Sequence, residues 1–238
     1  MPRRILLLGG LAVLLLALGG GGYYAYYFSG LRSAPKQLSL STPSPAASAT
    51  TASALRGNWT IGTGSLAGYR VNELFAGTSS PHQAVARTSS VSGSATVGDD
   101  SGGSYQLSAV TFSAGLAGLA SVDQVAGRDV RLRDNVVSRS LEVQRFPNAT
   151  FTAASGSVPD AVTSSQVDLS VPGQLTIHGV TKPVTATGKA QLNGGRVEIA
   201  GSLLVDMTDY GVQPPQIGFT TVDSKVTIDF DLFLSKAA

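Results

Sequence analysis

The chain has 238 residues, with 17 Lys and Arg against 15 Asp and Glu, no cysteine and 13 % charged residues. This length fits one globular domain with extensions, and the missing cysteines exclude a disulfide scaffold, a thiolate nucleophile, Cys-ligated metal and lipidated-cysteine attachment. All 15 acidic residues follow Leu55 and there outnumber 13 basic ones, so the excess positive charge is N-terminal and the domain lacks an electrostatic footprint for nucleic acid.

After Arg3 and Arg4, the 24 residues from Ile5 to Phe28 carry no charge. At about 1.5 Å per helical residue they are long enough to cross a hydrocarbon core of about 30 Å. The arginines precede the run and Tyr23, Tyr24, Tyr26, Tyr27 and Phe28 close it, as an interfacial aromatic belt does. Residues 1–28 are therefore expected to be an N-terminal membrane anchor, single-pass, with the domain outside. A cleaved signal peptide, with Ala17-Leu18-Gly19 at the cleavage site, is the competing reading; both export the domain.

Residues 29–56 form a linker. From Ser33 to Ala54, 18 of 22 residues are Ser, Thr, Ala or Pro, a composition that predicts a disordered tether.

From residue 57 to 238, period-two alternation broken by Gly, Asn and Pro predicts an all-β domain. Strands are expected over 69–75, 85–97, 105–112, 149–154, 166–177, 184–192 and 197–205. The last strand is the clearest: Val226, Ile228, Phe230, Leu232 and Leu234 alternate with Lys225, Thr227, Asp229 and Asp231. That pattern buries the apolar row and predicts solvated Asp229 and Asp231. One helix is expected over 125–137, with Ser121-Val-Asp-Gln124 as a capping box and Asp129 and Arg133 paired four apart. About eight antiparallel strands with one helical interruption fit a closed barrel or a two-sheet sandwich.

The inventory of chemistry is thin. His82 and His178 are the two histidines, and no zinc-protease, nucleophile-elbow or phosphate-loop motif occurs, so no catalytic residue and no metal site is assigned. Glu73 shares the parity of Tyr69, Val71 and Phe75, which points a carboxylate inward, where it must be paired or neutral. Arg128, Arg131, Arg133, Arg139 and Arg145 read as a solvated helix face or as contacts to lipid headgroups.

The ordered set Trp59-Thr-Ile61, Gly68-Tyr-Arg-Val-Asn-Glu73, Ala84 to Gly93, Arg128-Asp129, Arg133-Asp-Asn135, Phe146-Pro-Asn-Ala-Thr-Phe151, Gly173 to Val184 and Asp209-Tyr-Gly211 resembles the YceI-like family. The resemblance covers residues 57–235. It implies a lipocalin-like, extended antiparallel β-barrel whose interior holds a polyisoprenoid or quinone-type lipid, in a bacterial envelope and without catalysis or another cofactor. This chain has Gly64-Ser65 where many members carry a His-Ser pair.

The barrel reading predicts an apolar channel lined by Tyr69, Val71, Glu73, Phe75, Val91, Leu107, Phe112, Phe151, Leu175, Ile177, Ile228 and Phe230, which an alkenyl chain enters on leaving water. The expected function is storage, sequestration or transport of an isoprenoid-type lipid at the cell membrane. Its partners are the lipid and, through the N-terminal segment, the membrane; the alternative is an extracytoplasmic structural or adhesion module with a filled core.

Overall fold

The computed structural model describes residues 18–21, 32–42, 55–75, 81–100, 102–125, 128–193, 195–217 and 220–237. Most of the expected anchor therefore lies outside the described residues; among those described, no helix is long and apolar enough to cross a membrane.

Alternation dictates a β-barrel. Its strands are β2 (Gly57–Ile61), β3 (Leu66–Phe75), β4 (His82–Thr88), β5 (Val91–Asp100), β6 (Ser104–Gly115), β9 (Asn148–Pro159), β10 (Val167–Ile177), β11 (Val180–Asn193), β12 (Arg196–Asp206) and β14 (Thr220–Lys236). The short pairs β1 (Arg32–Ser33), β7 (Ala120–Ser121), β8 (Gln124–Val125) and β13 (Gln216–Ile217) complete the set. β14 closes the sheet: residues 225–234 pair with β12 on one side, while on the other 220–231 pair with β3 and 234–236 with β2. Closure leaves an eight-position antiparallel barrel in which β2 with β3, and β5 with β4, share positions along the wall.

Inward positions follow strand parity except where β6 and β9 kink side by side, Phe151 and Val158 of β9 both facing the interior. Leu107, Val110 and Phe112 all line the interior although 107 and 110 have opposite parity. Ala109 adopts φ +50°, and β5 shifts register against β6 between Ser94 and Thr96, so a bulge returns the apolar residues to the core face. Gly201 makes room for the Phe230 ring opposite it: a Cβ there would sit 2.9 Å from both Phe230 and the Gly188 backbone.

The helix differs from expectation. It runs over Leu132–Ser140, beginning seven residues later than the pattern predicts, and Ser121 and Gln124 belong to short strands. Asp134 accepts from the Ser121 N–H (3.0 Å) and hydroxyl (2.7 Å), fastening the helix to β7. Asp123 and Arg133 are committed to a buried ion network, so the capping box and the Asp129–Arg133 pair do not form; Asp129 pairs with Arg131 instead. Tertiary charge pairing has overridden local helix signals.

The tether also differs. Residues 32–42 lie against the barrel wall as a strap: Arg32 and Ser33 pair with Val125 and Gln124. The Pro35 carbonyl accepts from Arg70 (2.7 Å), and the Leu38 N–H donates to Asp229 (3.3 Å). The Ser41 N–H and hydroxyl donate to the two oxygens of Glu198, both at 2.6 Å. Residues 43–54 are not described. Asp229, expected in water, is fully buried, since the strap covers its face and Arg70 pairs with it at 3.0 Å. Such a carboxylate is tolerated because it is both paired and hydrogen-bonded.

Candidate functional site

The barrel interior holds two adjoining cavities. The narrower, about 170 Å³, is lined almost wholly by apolar side chains. Trp59, Tyr105, Val162, Leu169 and Leu234 pack at its end, and the Trp59 indole donates to the Leu55 carbonyl at 2.7 Å, so its one polar atom is satisfied. The wider cavity, about 550 Å³, opens beneath the helix; Leu132, Val136, Val137 and Leu141 roof it, and Met207, Tyr210 and Val212 form part of its wall. Ala67, Ala114, Ala149 and Ile228 line both, so the two spaces adjoin along the barrel, the wide one at the mouth and the narrow one beyond it.

The twelve side chains expected to face the channel all stand on its walls. Val91, Leu107, Phe112, Phe151, Leu175 and Phe230 line the narrow cavity, Tyr69, Val71, Glu73, Phe75 and Ile177 the wide one, and Ile228 both.

Glu73 is paired. Arg133 reaches in from the helix and grips it at 2.7 Å (Nε) and 2.9 Å (Nη2), then bonds Asp123 at 2.7 and 3.1 Å with the remaining guanidinium edge. Arg133 is 12 % exposed, which corrects its reading as part of a solvated face. His82 Nε2 lies 2.7 Å from Asp123, and the Val85 N–H donates to the same carboxylate at 3.0 Å. Burial pushes the Asp123 carboxyl up, but the hydrogen bonds from His82, Arg133 and Val85 outweigh it and hold it well below the usual carboxylate range. The Arg133 guanidinium is held in its charged form: burial opposes this, and Asp123 and Glu73 overcome the opposition. This network carries no unpaired nucleophile or base; its role is to pin the helix over the mouth.

Sequence patterning missed Asp123 and His82 as partners and the wall residues Trp59, Tyr105, Tyr210 and Met207. Inward parity in 57–61 and at 105 was a usable signal, whereas the 123–133–73 convergence spans loops and has none. His82 also stacks on Phe75, and the Arg128 guanidinium sits 4.2 Å from the Phe75 ring centroid. His178 occupies the β10–β11 turn with Nδ1 3.2 Å from the Tyr210 carbonyl. Among the described residues no group of three or more His, Asp or Glu is placed to hold a metal ion.

Two phenols are different. The hydroxyls of Tyr69 and Tyr210 are buried and meet no hydrogen-bond partner among the described residues, although both side chains line the wide cavity. Burial raises both phenols above their usual range, so each remains a neutral O–H donor. An unsatisfied buried hydroxyl costs about 1–3 kcal/mol, which a ligand oxygen would recover only by displacing the side chains that cover it.

Residues 59–234 match the family model of the YceI-like domain. A UPF0312 protein of Pseudomonas fluorescens (strain SBW25) is 33 % identical over 96 residues, covering 37 % of this chain and 47 % of the relative. One from Pseudomonas syringae pv. tomato is 31 % identical over 106 residues, covering 41 % and 52 %. The chain thus spans about half the length of the curated relatives it matches. Among solved structures, a polyisoprenoid binding domain from Saccharophagus degradans, implicated in plant cell wall breakdown, superposes with a TM-score of 0.51 at 17 % identity, over 75 % of this chain and 98 % of that one. At that identity the likeness concerns the fold.

Proposed function

We propose that this chain, which belongs to the YceI-like domain family, binds a long-chain isoprenoid-type lipid inside its barrel and stores, sequesters or carries it at a bacterial membrane. The observation that carries the reading is the interior space itself: an apolar end of about 170 Å³ adjoining a mouth of about 550 Å³. A filled-core module would close that space with side chains, because interiors normally pack without voids of such size. The likeness to the polyisoprenoid binding domain of Saccharophagus degradans adds support for isoprenoid as the lipid class.

The chemistry follows from the two ends. An alkenyl tail entering the narrow end removes apolar surface from water on both partners, at about 25 cal/mol per Å², with no polar group to desolvate. A polar head stays in the wide cavity beside the Tyr69 and Tyr210 side chains, whose covered hydroxyls donate to its oxygens once loading displaces the neighbouring side chains. The Arg133–Glu73–Asp123 network is already satisfied and serves the roof. No catalytic step is assigned to any residue.

In this reading the uncharged run Ile5–Phe28 anchors the chain in the cytoplasmic membrane with the barrel on the outer side. The test is mass spectrometry of organic extracts from the full chain, expressed in a bacterial envelope and then exchanged into a lipid-free polymer. A stoichiometric polyprenyl or quinone-type species is expected. A protein that stays empty after incubation with envelope membranes would overturn the assignment.

A further inference from the structure

The strap poses a problem of direction. The barrel's own wall starts at its narrow end, where Leu55 and Trp59 line the small cavity, so a free tether would hang the barrel from its closed end. Instead residues 32–42 run along the outside of the wall. Ser41 sits on Glu198 and Gln191, Leu38 on Asp229, Pro35 on Arg70, and Arg32 pairs with Val125, a residue lining the wide mouth. The chain is thereby handed over at the opposite end of the barrel.

Covalent reach makes this consequential. Arg32 lies four residue steps beyond Phe28, the end of the expected anchor, and an extended chain covers at most about 3.6 Å per step, so the two lie within roughly 15 Å. From Phe28 to Leu55 without the strap, the same geometry would allow roughly 100 Å.

The surface at the mouth agrees. Leu132 is 68 % exposed while also lining the wide cavity, and Leu74, Val122 and Leu204, the other exposed large apolar side chains described in the barrel, adjoin residues of the mouth or its ion network. None of the four is at the narrow end. Arg131 and Arg139 project outward from the helix region, and neither Arg128 nor Arg139 has an ion-pair partner among the described residues. Exposed apolar side chains flanked by Arg128 and Arg139, which have no ion-pair partner among the described residues, and by Arg131, which is paired with Asp129, complement an anionic bilayer, which attracts basic groups and receives leucine at its interface.

We propose that the strap docks the barrel mouth-down on an anionic phospholipid bilayer, with the Leu132 rim and the outward arginines at the headgroups, so that lipid passes between membrane and cavity without crossing open water. This rests on the reading of the barrel as a membrane-anchored lipid carrier. It assigns the strap an orienting role, held by bonds from its backbone to Asp229 and Glu198.

The native absence of cysteine allows single labels in the full chain. Ser138→Cys on the outward side of the helix and Ser164→Cys beside the narrow end would carry a fluorophore, in vesicles of phosphatidylcholine with phosphatidylglycerol and a nitroxide-bearing lipid. Loss of fluorescence at 138 and none at 164 is expected, with the loss at 138 reduced by Arg131→Glu/Arg139→Glu. Equal loss at both positions, or loss at 164 alone, overturns mouth-down docking even if extracted lipid shows that the barrel is loaded. A full chain that does not float with vesicles overturns the docking and the anchor together. Leu38→Pro/Ser41→Pro removes three strap donors, the two backbone N–H groups and the Ser41 hydroxyl, without touching the barrel, and the near-ultraviolet signal of Trp59 checks that the fold survives. This variant should lose the difference between the labels, and a folded variant that keeps it overturns the orienting role of the strap.

Discussion

The two ends of one barrel solve opposite problems. At the narrow end Trp59, Tyr105, Val162, Leu169 and Leu234 bring few polar atoms, and the indole N–H is answered by the Leu55 carbonyl. At the mouth Glu73, Arg133, Asp123 and His82 are buried as a network, and two phenols are left unanswered. The narrow end can recognise a ligand only by shape and apolar area. The mouth carries two buried hydroxyl donors, and its roof is held in place by charge pairing, which fails far more sharply than apolar packing when one partner is lost.

The largest effect expected from this difference is at Arg133. Arg133→Met leaves Glu73 and Asp123 buried without their cation, at a cost of about 3–5 kcal/mol, measurable by urea unfolding at neutral pH. Because Asp123 titrates below its unfolded value, its stabilisation is present above the ordinary carboxylate pKa and is lost as pH falls through that range and below. The penalty of the substitution should therefore shrink in acid, and a penalty independent of pH would contradict the network.

At the narrow end, Ala186→Phe places a ring in the cavity rather than breaking a charge pair. Overpacking costs about 1–3 kcal/mol, and extracted lipids should shift to shorter chains. An unchanged chain-length profile would argue that the narrow cavity is not the tail site.

Tyr69→Phe separates apo stability from binding. Deleting an unpartnered buried hydroxyl should stabilise the lipid-free protein by about 1 kcal/mol while weakening binding of a lipid with an oxygenated head, and leaving a hydrocarbon analogue unaffected. Paired thermal melts and lipid titrations would show this opposition; a loss of apo stability would mean that the hydroxyl is satisfied.

The smallest effect concerns the strap-covered wall. Asp231 is half-buried, and burial together with the neighbouring Glu198 charge raises its carboxyl to about 6. The folded state then holds this proton more tightly than the unfolded chain, so the group costs stability as pH rises from about 4 through 6. After allowance for solvent screening, Asp231→Asn should stabilise by about 1 kcal/mol at pH 7. The gain should fade towards pH 4, and a gain of constant size in denaturation curves across that range would place the effect elsewhere.

Much of the barrel was legible because a strand with one wet face writes its orientation into alternate residues. β14 is the clear case: Val226, Ile228, Phe230, Leu232 and Leu234 line the interior as their spacing implies. The same rule misread Asp229, since a wall face can be covered by another part of the chain. It also misplaced the helix, where Ser121 with Gln124 and Asp129 with Arg133 carried good local signals but Arg133 was recruited by Asp123 and by Glu73 from a distant strand.

The sequence by itself determined the all-β class, the turns, the inward-facing set and the uncharged N-terminal run, because these follow from composition and short-range periodicity. Only the tertiary structure decided that Arg133 belongs to the interior and that residues 32–42 form a strap ending at the mouth. Both depend on contacts between residues far apart in the chain, where a carboxylate or N–H takes the partner that burial makes most costly to leave unpaired.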